Sequence, residues 1–188
     1  MSDIDAILRM LDRELWLVTA SHQGARAGLI ATFVCNASIV PEMPRMLIGI
    51  AKQHHTWGLI EASRAFALNL IDESHLDWVW RFGLASGRAG DKFAGLTTAP
   101  SDTGSPLLTE AIAWLDCRVE TSLDTGDRTV YLAEVLAGKV QKATKPLTLQ
   151  RLLQLAPAER LQELRAGLER DAIIDAAAIR RWRESKST

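Results

Sequence analysis

The sequence has few of the residues that build covalent or metal-centred chemistry. It contains two cysteines, Cys35 and Cys117, and four histidines in 188 residues. The cysteines lie far apart and form neither a CxxC pair nor a zinc-type spacing. No HExxH, GxSxG or Walker A motif is present. Each cysteine stands in an apolar, strand-like stretch, so buried thiols are expected, with a disulfide or a redox role as the alternative. No metal site is expected, because adjacent His54 and His55 would point in different directions from a helix.

The chain also lacks a strong charge bias and long apolar runs. Its formal net charge is −1, which predicts no general attraction to nucleic acid or to anionic membranes. No apolar run reaches the ~18 residues of a membrane-spanning helix. The first residues, Met-Ser-Asp-Ile-Asp, are acidic and lack the profile of a signal peptide. These features predict a cytoplasmic protein with neither nucleic-acid nor membrane partners.

Short apolar runs separated by turn residues predict a mainly β protein. The predicted strands are Glu14–Ala20, Gly28–Val34, Met46–Ala51, Ala65–Ile71, Ile112–Leu123 and Arg128–Val140. A connection containing Gly24 predicts a hairpin between the first two strands, and Asp124–Asp127 predicts a turn between the last two. Because strands joined by short turns run in opposite directions, the sheet is expected to be antiparallel.

Helical spacing and composition predict five helices. They are Ile4–Leu11, Thr56–Ser63, His75–Leu84, Leu147–Leu155 and Pro157–Arg183. Ser74 is the predicted N-cap of the third helix, whose segment Trp78–Phe82 is apolar on more than one side and should be buried or lie at a subunit contact. His22 and His75 are predicted at the surface. The last helix needs a surface to lie on, either its own barrel or a partner's. A flexible loop is predicted at Ala85–Gly90, whose glycines do not match GxGxxG.

One polar cluster could bind a ligand. Lys52–Thr56 follows the strand Met46–Ala51 and includes the first residue of the predicted helix. Free N–H groups at a helix start, together with a lysine, two histidines and a threonine, can bind an anion. The alternative explanation of the same residues is a solvated surface cluster.

A series of motifs runs through the chain in a fixed order. They are Ala31-Thr32, Asn36-Ala37-Ser38, Ala51-Lys52, His55-Thr56, LIEASRAFALNL (59–70), DKFAGL (91–96), PLLTEAIAWLDC (106–117) and TGDRTVYLAEV (125–135). This ordered set resembles the flavin reductase-like, FMN-binding split-barrel family. The resemblance implies an antiparallel split β-barrel with peripheral helices over residues 1–145. Residues 146–188 would form an α-helical extension packed on the barrel or on a dimer partner. It also implies a homodimer with FMN at the subunit interface.

The resemblance assigns each candidate site residue a role. Two residues would contact the isoalloxazine ring, namely Ala31 and Thr32. Three would line the ring and the ribityl chain, namely Asn36, Ala37 and Ser38. Four would hold the ribityl chain and the phosphate, namely Ala51, Lys52, His55 and Thr56. Lys92 and Phe93 would close the site, although Phe93 could equally be a core residue. FAD is possible in place of FMN.

The resemblance further implies an FMN-dependent oxidoreductase. NAD(P)H would reduce the bound flavin by hydride transfer, and the electrons would pass to an unknown acceptor. The family often has histidine in a GDHT motif, where this chain has Arg128. Arginine stays charged near neutral pH and cannot shuttle a proton, but it can bind a phosphate or a carboxylate, or stack on a ring. Arg128 is therefore the candidate catalytic residue. The alternatives are a flavin-binding protein or electron carrier without NAD(P)H activity, and an interaction protein whose barrel has lost its ligand.

Overall fold

A computed structural model describes residues 3–84 and 91–187, so the predicted loop at 85–90 lies outside the described residues. The helices are α1 (Asp3–Met10), α2 (His55–Ser63), α3 (Leu76–Gly83), α4 (Leu149–Leu155) and α5 (Ala158–Lys186), with a 3-10 turn at Glu73–His75. The strands are β1 (Trp16–His22), β2 (Ala25–Ala31), β3 (Val34–Asn36), β4 (Arg45–Ala51), β5 (Ala65–Leu70), β6 (Thr98–Ala99), β7 (Leu107–Leu108), β8 (Ala113–Asp124) and β9 (Arg128–Val140).

Seven strands form one antiparallel sheet in the order β2-β1-β5-β8-β9-β4-β3. The β1–β2 hairpin turns at Gln23 and Gly24, whose φ angles are 49° and 82°. The β8–β9 hairpin turns at Gly126, with φ of 96°. Glycine takes such angles without steric cost, which is why short Gly-bearing segments reverse the chain here. The predictions of antiparallel pairing and of these two hairpins are confirmed.

Two hydrophobic clusters cover the sheet. Successive residues of a strand point to opposite faces, and the fully buried Leu17 and Val18 of β1 belong to different clusters. The cluster on the Leu17 side includes Trp78, Val79 and Phe82 of α3, each at most 3% exposed. The apolar face of α3 is therefore buried inside the chain, and these three side chains are not available to a second subunit.

The structure corrects the prediction for one of the two cysteines. Both thiols are free, but Cys35 is exposed whereas Cys117 is buried. Cys35 lies in β3, which is three residues long and forms the edge of the sheet. An edge strand has no neighbour on one side, so apolar sequence context alone does not ensure burial there.

The structure also corrects two predictions at the start of α3. Asp72 is the N-cap of the 3-10 turn, and its carboxylate accepts a hydrogen bond of 3.0 Å from the Ser74 N–H. Ser74, the predicted cap, lies inside the turn. His75 is buried, with Nε2 2.9 Å from the Glu110 carbonyl oxygen and the ring 4.3 Å from that of Trp78. A histidine whose two nitrogens find partners can be buried at low cost.

The C-terminal helices lie outside the sheet. The α4 helix is capped by Thr148, whose hydroxyl accepts a 3.3 Å hydrogen bond from the Arg151 N–H. The α5 helix has 29 residues, all of them described, and none is fully buried. It therefore covers other parts of the protein and contributes little to the hydrophobic core. Within residues 3–84 and 91–187, no helix combines the length and apolarity needed to cross a membrane.

Candidate functional site

A cleft lies between the sheet and the C-terminal helices. It consists of two adjoining cavities of ≈ 440 Å³ and ≈ 370 Å³, called here the first and the second cavity. Their linings share six residues, namely Leu29, Ile30, Gln53, His54, Gly83 and Asp171. One wall comes from β2 and the β4–α2 connection, and the opposite wall comes from α5. The two volumes together suit a cofactor-sized ligand better than a single small molecule.

The first cavity is polar and contains the N-terminus of α2. Gln53, His54, His55 and Thr56 line it, and Thr56 is only 2% exposed. Two buried nitrogen atoms there, Gln53 Nε2 and His55 Nδ1, have no hydrogen-bond partner within the described part of the chain. A buried polar atom without a partner costs about 1–3 kcal/mol. A ligand that supplies the missing partners would remove this cost, so the first cavity fits the polar end of a cofactor.

Charges of both signs surround the first cavity. Lys92 lines it, and its Nζ donates a 3.3 Å hydrogen bond to the Phe82 carbonyl. Burial lowers the pKa of Lys92, so its charged form lacks solvation that an anionic ligand could replace. Three α5 side chains, Glu163, Arg170 and Asp171, line the opposite wall. The wall at α2 thus favours an anion, while α5 contributes both signs.

His54 lies where the two cavities meet. Burial lowers the pKa of His54, and nearby Lys92 and Arg128 lower it further, whereas Asp171 and Asp175 act in the opposite direction. The lowered pKa favours the neutral imidazole near pH 7. A neutral His54 can donate one hydrogen bond and accept another, but it does not supply a fixed positive charge for an anion.

The second cavity is mostly apolar. Its lining on the sheet side includes Ala31, Thr32, Phe33, Ile50 and Ala51. The opposite side carries six leucines of α4 and α5, namely Leu149, Leu152, Leu153, Leu161, Leu164 and Leu168. An apolar cavity of this size suits a ring system, because ring and leucine surfaces are removed from water together.

Arg128 lies at the edge of the second cavity and bridges the sheet to α5. Its Nε is 2.5 Å from Asp127 Oδ2, and its Nη2 is 2.8 Å from Asp175 Oδ2. Its guanidinium carbon is 4.8 Å from the centroid of the Phe33 ring, a cation–π distance. Burial raises the pKa of Asp175, and Arg128 opposes this shift. The side chain is thus held by three groups.

The structure brings seven of the predicted site residues together around the cleft. They are Ala31, Thr32, Ala51, His55, Thr56, Lys92 and Arg128. Asn36 and Ser38 instead line a separate groove beside Pro41 and Pro44. The Ala37 N–H donates a 2.9 Å hydrogen bond to the Arg45 carbonyl at the same end of β4. Residues 36–38 of this chain therefore do not face the cleft.

Two further predicted residues lie outside the cleft. The Lys52 ammonium forms a 2.7 Å ion pair with Asp124 at the β8–β9 turn. Phe93 is 1% exposed, packs edge-on against Phe82 at 5.2 Å, and belongs to the core cluster around α3. Phe93 is therefore a core residue, which is the alternative that its sequence context also allowed.

Sequence reasoning missed several residues of the cleft. Gln53 lies between the predicted site residues Lys52 and His55, so its position in the sequence could have indicated a place in the cleft. Asp171 and Asp175 come from α5 and reach the cleft only through tertiary packing. No local pattern marks them. In residues 3–84 and 91–187, no group of three or more His, Cys, Asp or Glu side chains is arranged to hold a metal ion.

The chain thus combines a seven-stranded antiparallel sheet with a ligand-sized cleft at the start of α2. The family model of the flavin reductase like domain matches residues 8–152. The chain therefore belongs to the flavin reductase-like domain family, and the resemblance drawn from its motifs is confirmed. The split-barrel architecture is also confirmed by the solved structures that resemble it. The matched range ends before α5 begins.

The similar proteins come from several organisms. Diflavin flavoprotein A 1 of Synechocystis sp. is 29% identical over 143 residues, which are 76% of this chain but 25% of that protein. The chain thus spans about a quarter of the length of the diflavin flavoproteins that it matches. A homolog of nitrilotriacetate monooxygenase component B from Mycobacterium thermoresistibile is 30% identical, with a TM-score of 0.67 over 78% of this chain and 83% of that one. The NADH:FAD oxidoreductase of Streptomyces globisporus is 21% identical and shares the fold, with a TM-score of 0.68 over 78% of this chain and 89% of the other.

Proposed function

We propose that the chain binds FMN in this cleft and works as a flavin oxidoreductase. NAD(P)H would reduce the flavin, and the electrons would pass to a separate acceptor. One observation carries the proposal: Gln53 Nε2 and His55 Nδ1, buried and without a hydrogen-bond partner among residues 3–84 and 91–187, lie at a helix N-terminus beside an apolar cavity of ring size. Membership of the flavin reductase-like family supports it, and so does the name of the Streptomyces globisporus structure, an NADH:FAD oxidoreductase. FAD is the alternative cofactor.

The first cavity would hold the phosphate. The N-terminus of α2 is the positive end of the helix dipole, which favours an anion. Thr56 and Lys92 line the same cavity and would add a hydroxyl and a cation. Gln53 would donate through its Nε2, which has no partner in the part of the chain that the structure describes. These residues bind and orient the ligand, and none of them needs to transfer a proton.

The second cavity would hold the isoalloxazine ring. Ala31 and Thr32 would lie along one face of the ring, where small side chains let the backbone approach closely. The leucines opposite would exclude water from the reacting face. When bound, the flavin supplies the acceptor for hydride transfer, which is chemistry that no residue of the chain provides.

Arg128 would bind and orient the nicotinamide donor at the edge of the ring site. It lines the second cavity together with Thr32, and an arginine side chain can bind a phosphate or stack on a ring. Positioning is the main requirement for hydride transfer, so a residue that cannot shuttle protons can still assist.

One observation favours the second candidate, an electron carrier without NAD(P)H activity: two carboxylates already bind the Arg128 guanidinium.

A visible spectrum tests the proposed activity. We expect the protein saturated with FMN to bleach in the flavin bands when NADH or NADPH is added without oxygen. The control is free FMN at the same concentration with the same donor, which should bleach far more slowly. Bands that persist with both donors but bleach with dithionite would contradict the reductase and favour the carrier. A protein that leaves the spectrum and fluorescence of added FMN unchanged would contradict flavin binding altogether.

We further propose that the chain forms a homodimer, as the resemblance implies. Apolar side chains that one subunit leaves in water support this proposal. Ile39 is 100% exposed, Met43 62% and Phe33 51%. Sedimentation equilibrium should give twice the mass of one chain, and Ile39→Asp should shift the equilibrium towards the monomer. A wild-type protein that sediments as a monomer at micromolar concentration would contradict the proposal.

A further inference from the structure

Most of the wall of the cleft opposite β2 lies outside the residues that the family model matches. The family match ends at residue 152, and α5 begins at Ala158. Residues of α5 nevertheless line both cavities. Arg170 lines the first cavity, Asp171 lines both, and the second cavity is lined by Leu164, Leu168 and Asp175. The cleft as it stands is therefore completed by a segment that the matched domain lacks.

Three contacts fix α5 in this position. Leu164 packs against the core cluster around α3. Asp175 forms the 2.8 Å ion pair with Arg128. At the far end, Trp182 lies on the β8–β9 turn so closely that a Cβ atom at Gly126 would come within 2.6 Å of the Trp182 Cβ. The first and last of these contacts are 18 residues apart, or roughly 27 Å at about 1.5 Å per residue, so they anchor most of the 29-residue helix to the rest of the protein.

The leucines of α5 line the second cavity, and one of them, Leu164, also packs against the core cluster around α3. No residue of α5 is fully buried, and Leu168 is 67% exposed although it lines the second cavity. Leucines around a cavity lack contacts on one side and gain them when a ligand fills the space. A planar ring inserted between Ala31 and these leucines would remove apolar surface on both walls from water.

We propose that α4 and α5 form the outer wall of the flavin site. The leucines of the second cavity pack on the ring system, and Asp175 is a positioning residue that holds Arg128 at the ring's edge. This inference rests on the proposed function. According to this inference, the C-terminal extension binds the cofactor in addition to packing on the barrel.

The test compares matched variants of the full-length chain in FMN binding. Leu168→Ala and Leu164→Ala should each raise the Kd for FMN about five- to tenfold, because each removes apolar contact with the ring. Ile173→Ala is the control, since Ile173 is 72% exposed on the same helix and lines neither cavity. Kd is measured from the change in flavin fluorescence. Leu168 is already exposed, so its truncation should fold even if Leu164→Ala does not.

Asp175 is tested with a second readout. Asp175→Asn should change the visible circular dichroism of bound flavin, which reports the asymmetry of the ring's surroundings. In protein that already carries Arg128→Ala, Asp175→Asn should leave this signal unchanged, because Asp175 acts through Arg128. Glu169→Gln is the matched control: it removes a carboxylate from an exposed position of the same helix. A role of Asp175 in helix packing alone would lower stability without altering the flavin signal.

Several results would overturn the inference. Equal Kd values for Leu168→Ala, Ile173→Ala and wild type would show that α5 is not a wall of the site. A lower Kd in the leucine variants would show that the helix obstructs the cleft. In both cases wild-type protein still binds FMN and the proposed function stands. If wild-type protein fails to bind FMN in the same titration, the proposed function and the inference both fail.

Discussion

Thr56→Glu is expected to weaken FMN binding by at least about 100-fold. Thr56 lies in the first turn of α2, is 2% exposed and lines the first cavity, where we place the phosphate. A carboxylate there would face a phosphate dianion. Like charges brought together in an interface cost several kcal/mol, and about 1.4 kcal/mol corresponds to a tenfold change in Kd. The Kd is read from flavin fluorescence, with far-UV circular dichroism to verify folding.

Two controls separate charge repulsion from damage to the fold. Thr56→Ser keeps the hydroxyl and should bind FMN within about threefold of wild type. Thr144→Glu adds the same charge at an exposed position remote in sequence from α2 and should have no effect. Glutamate in the first turn of a helix is itself favourable to the helix, but Thr56 is buried, so the Kd is compared only for protein that far-UV circular dichroism shows to be folded. A folded Thr56→Glu protein with an unchanged Kd would refute the phosphate assignment.

Arg128→Ala is expected to raise the KM for the nicotinamide donor about tenfold while FMN remains bound. The substitution removes a fixed positive charge from the edge of the second cavity and leaves Asp127 and Asp175 without their shared partner. The remaining negative charges would repel the phosphates of the donor, and loss of one charge-assisted contact is worth roughly 1.5–3 kcal/mol. Steady-state rates at a series of NADH and NADPH concentrations measure the effect.

Arg128→Lys distinguishes charge from geometry. Lysine keeps the positive charge but loses the planar fork that contacts two carboxylates at once. It should recover part of the donor affinity, while Arg118→Ala, at an exposed position of β8, should leave KM unchanged. If KM for both donors is the same in Arg128→Ala and wild type, Arg128 is not at the donor site. The electron-carrier alternative would then gain support.

Local patterns predicted most of the strands and the turns between them. The predicted strand Arg128–Val140 coincides with β9, and the helix predicted at Thr56–Ser63 differs from α2 by one residue. These elements depend on periodicity and on glycine-bearing turns, both of which are visible in a short window of sequence. Strand order in a sheet is not encoded in a short window of sequence. The split-barrel arrangement was therefore predicted from the resemblance of the ordered motifs to a family.

The parts that could not be predicted depend on long-range packing. Asp175 is 47 residues from Arg128 in sequence, and only the placement of α5 on the sheet brings them together. Lys52 follows β4 as predicted but turns to Asp124 in place of the cleft. Cys35 is exposed because β3 forms the edge of the sheet. Lys52 and Cys35 were noted from the sequence and Asp175 was not, but in all three the surroundings of the side chain are set by neighbours remote in sequence.

The boundary between the barrel domain, residues 1–145, and the helical extension, residues 146–188, stays a prediction. The family match continues to residue 152, and Leu147 and Leu152, at 0% and 3% exposed, pack in the core cluster around α3. We propose that the extension be divided further: residues up to α4 complete the core, and α5 completes the cleft. The variants of Leu164 and Leu168 test the second half of this statement.

The measurement that tests the account most directly is a crystal structure of the protein with FMN. We expect the phosphate within hydrogen-bond distance of Gln53, His55 and Thr56, and the ring between Ala31 and the leucines of α5. The alternative location is the groove beside Asn36 and Ser38, which two of the predicted site residues line. Density for FMN in that groove, with the cleft at α2 holding only solvent, would contradict the central claim.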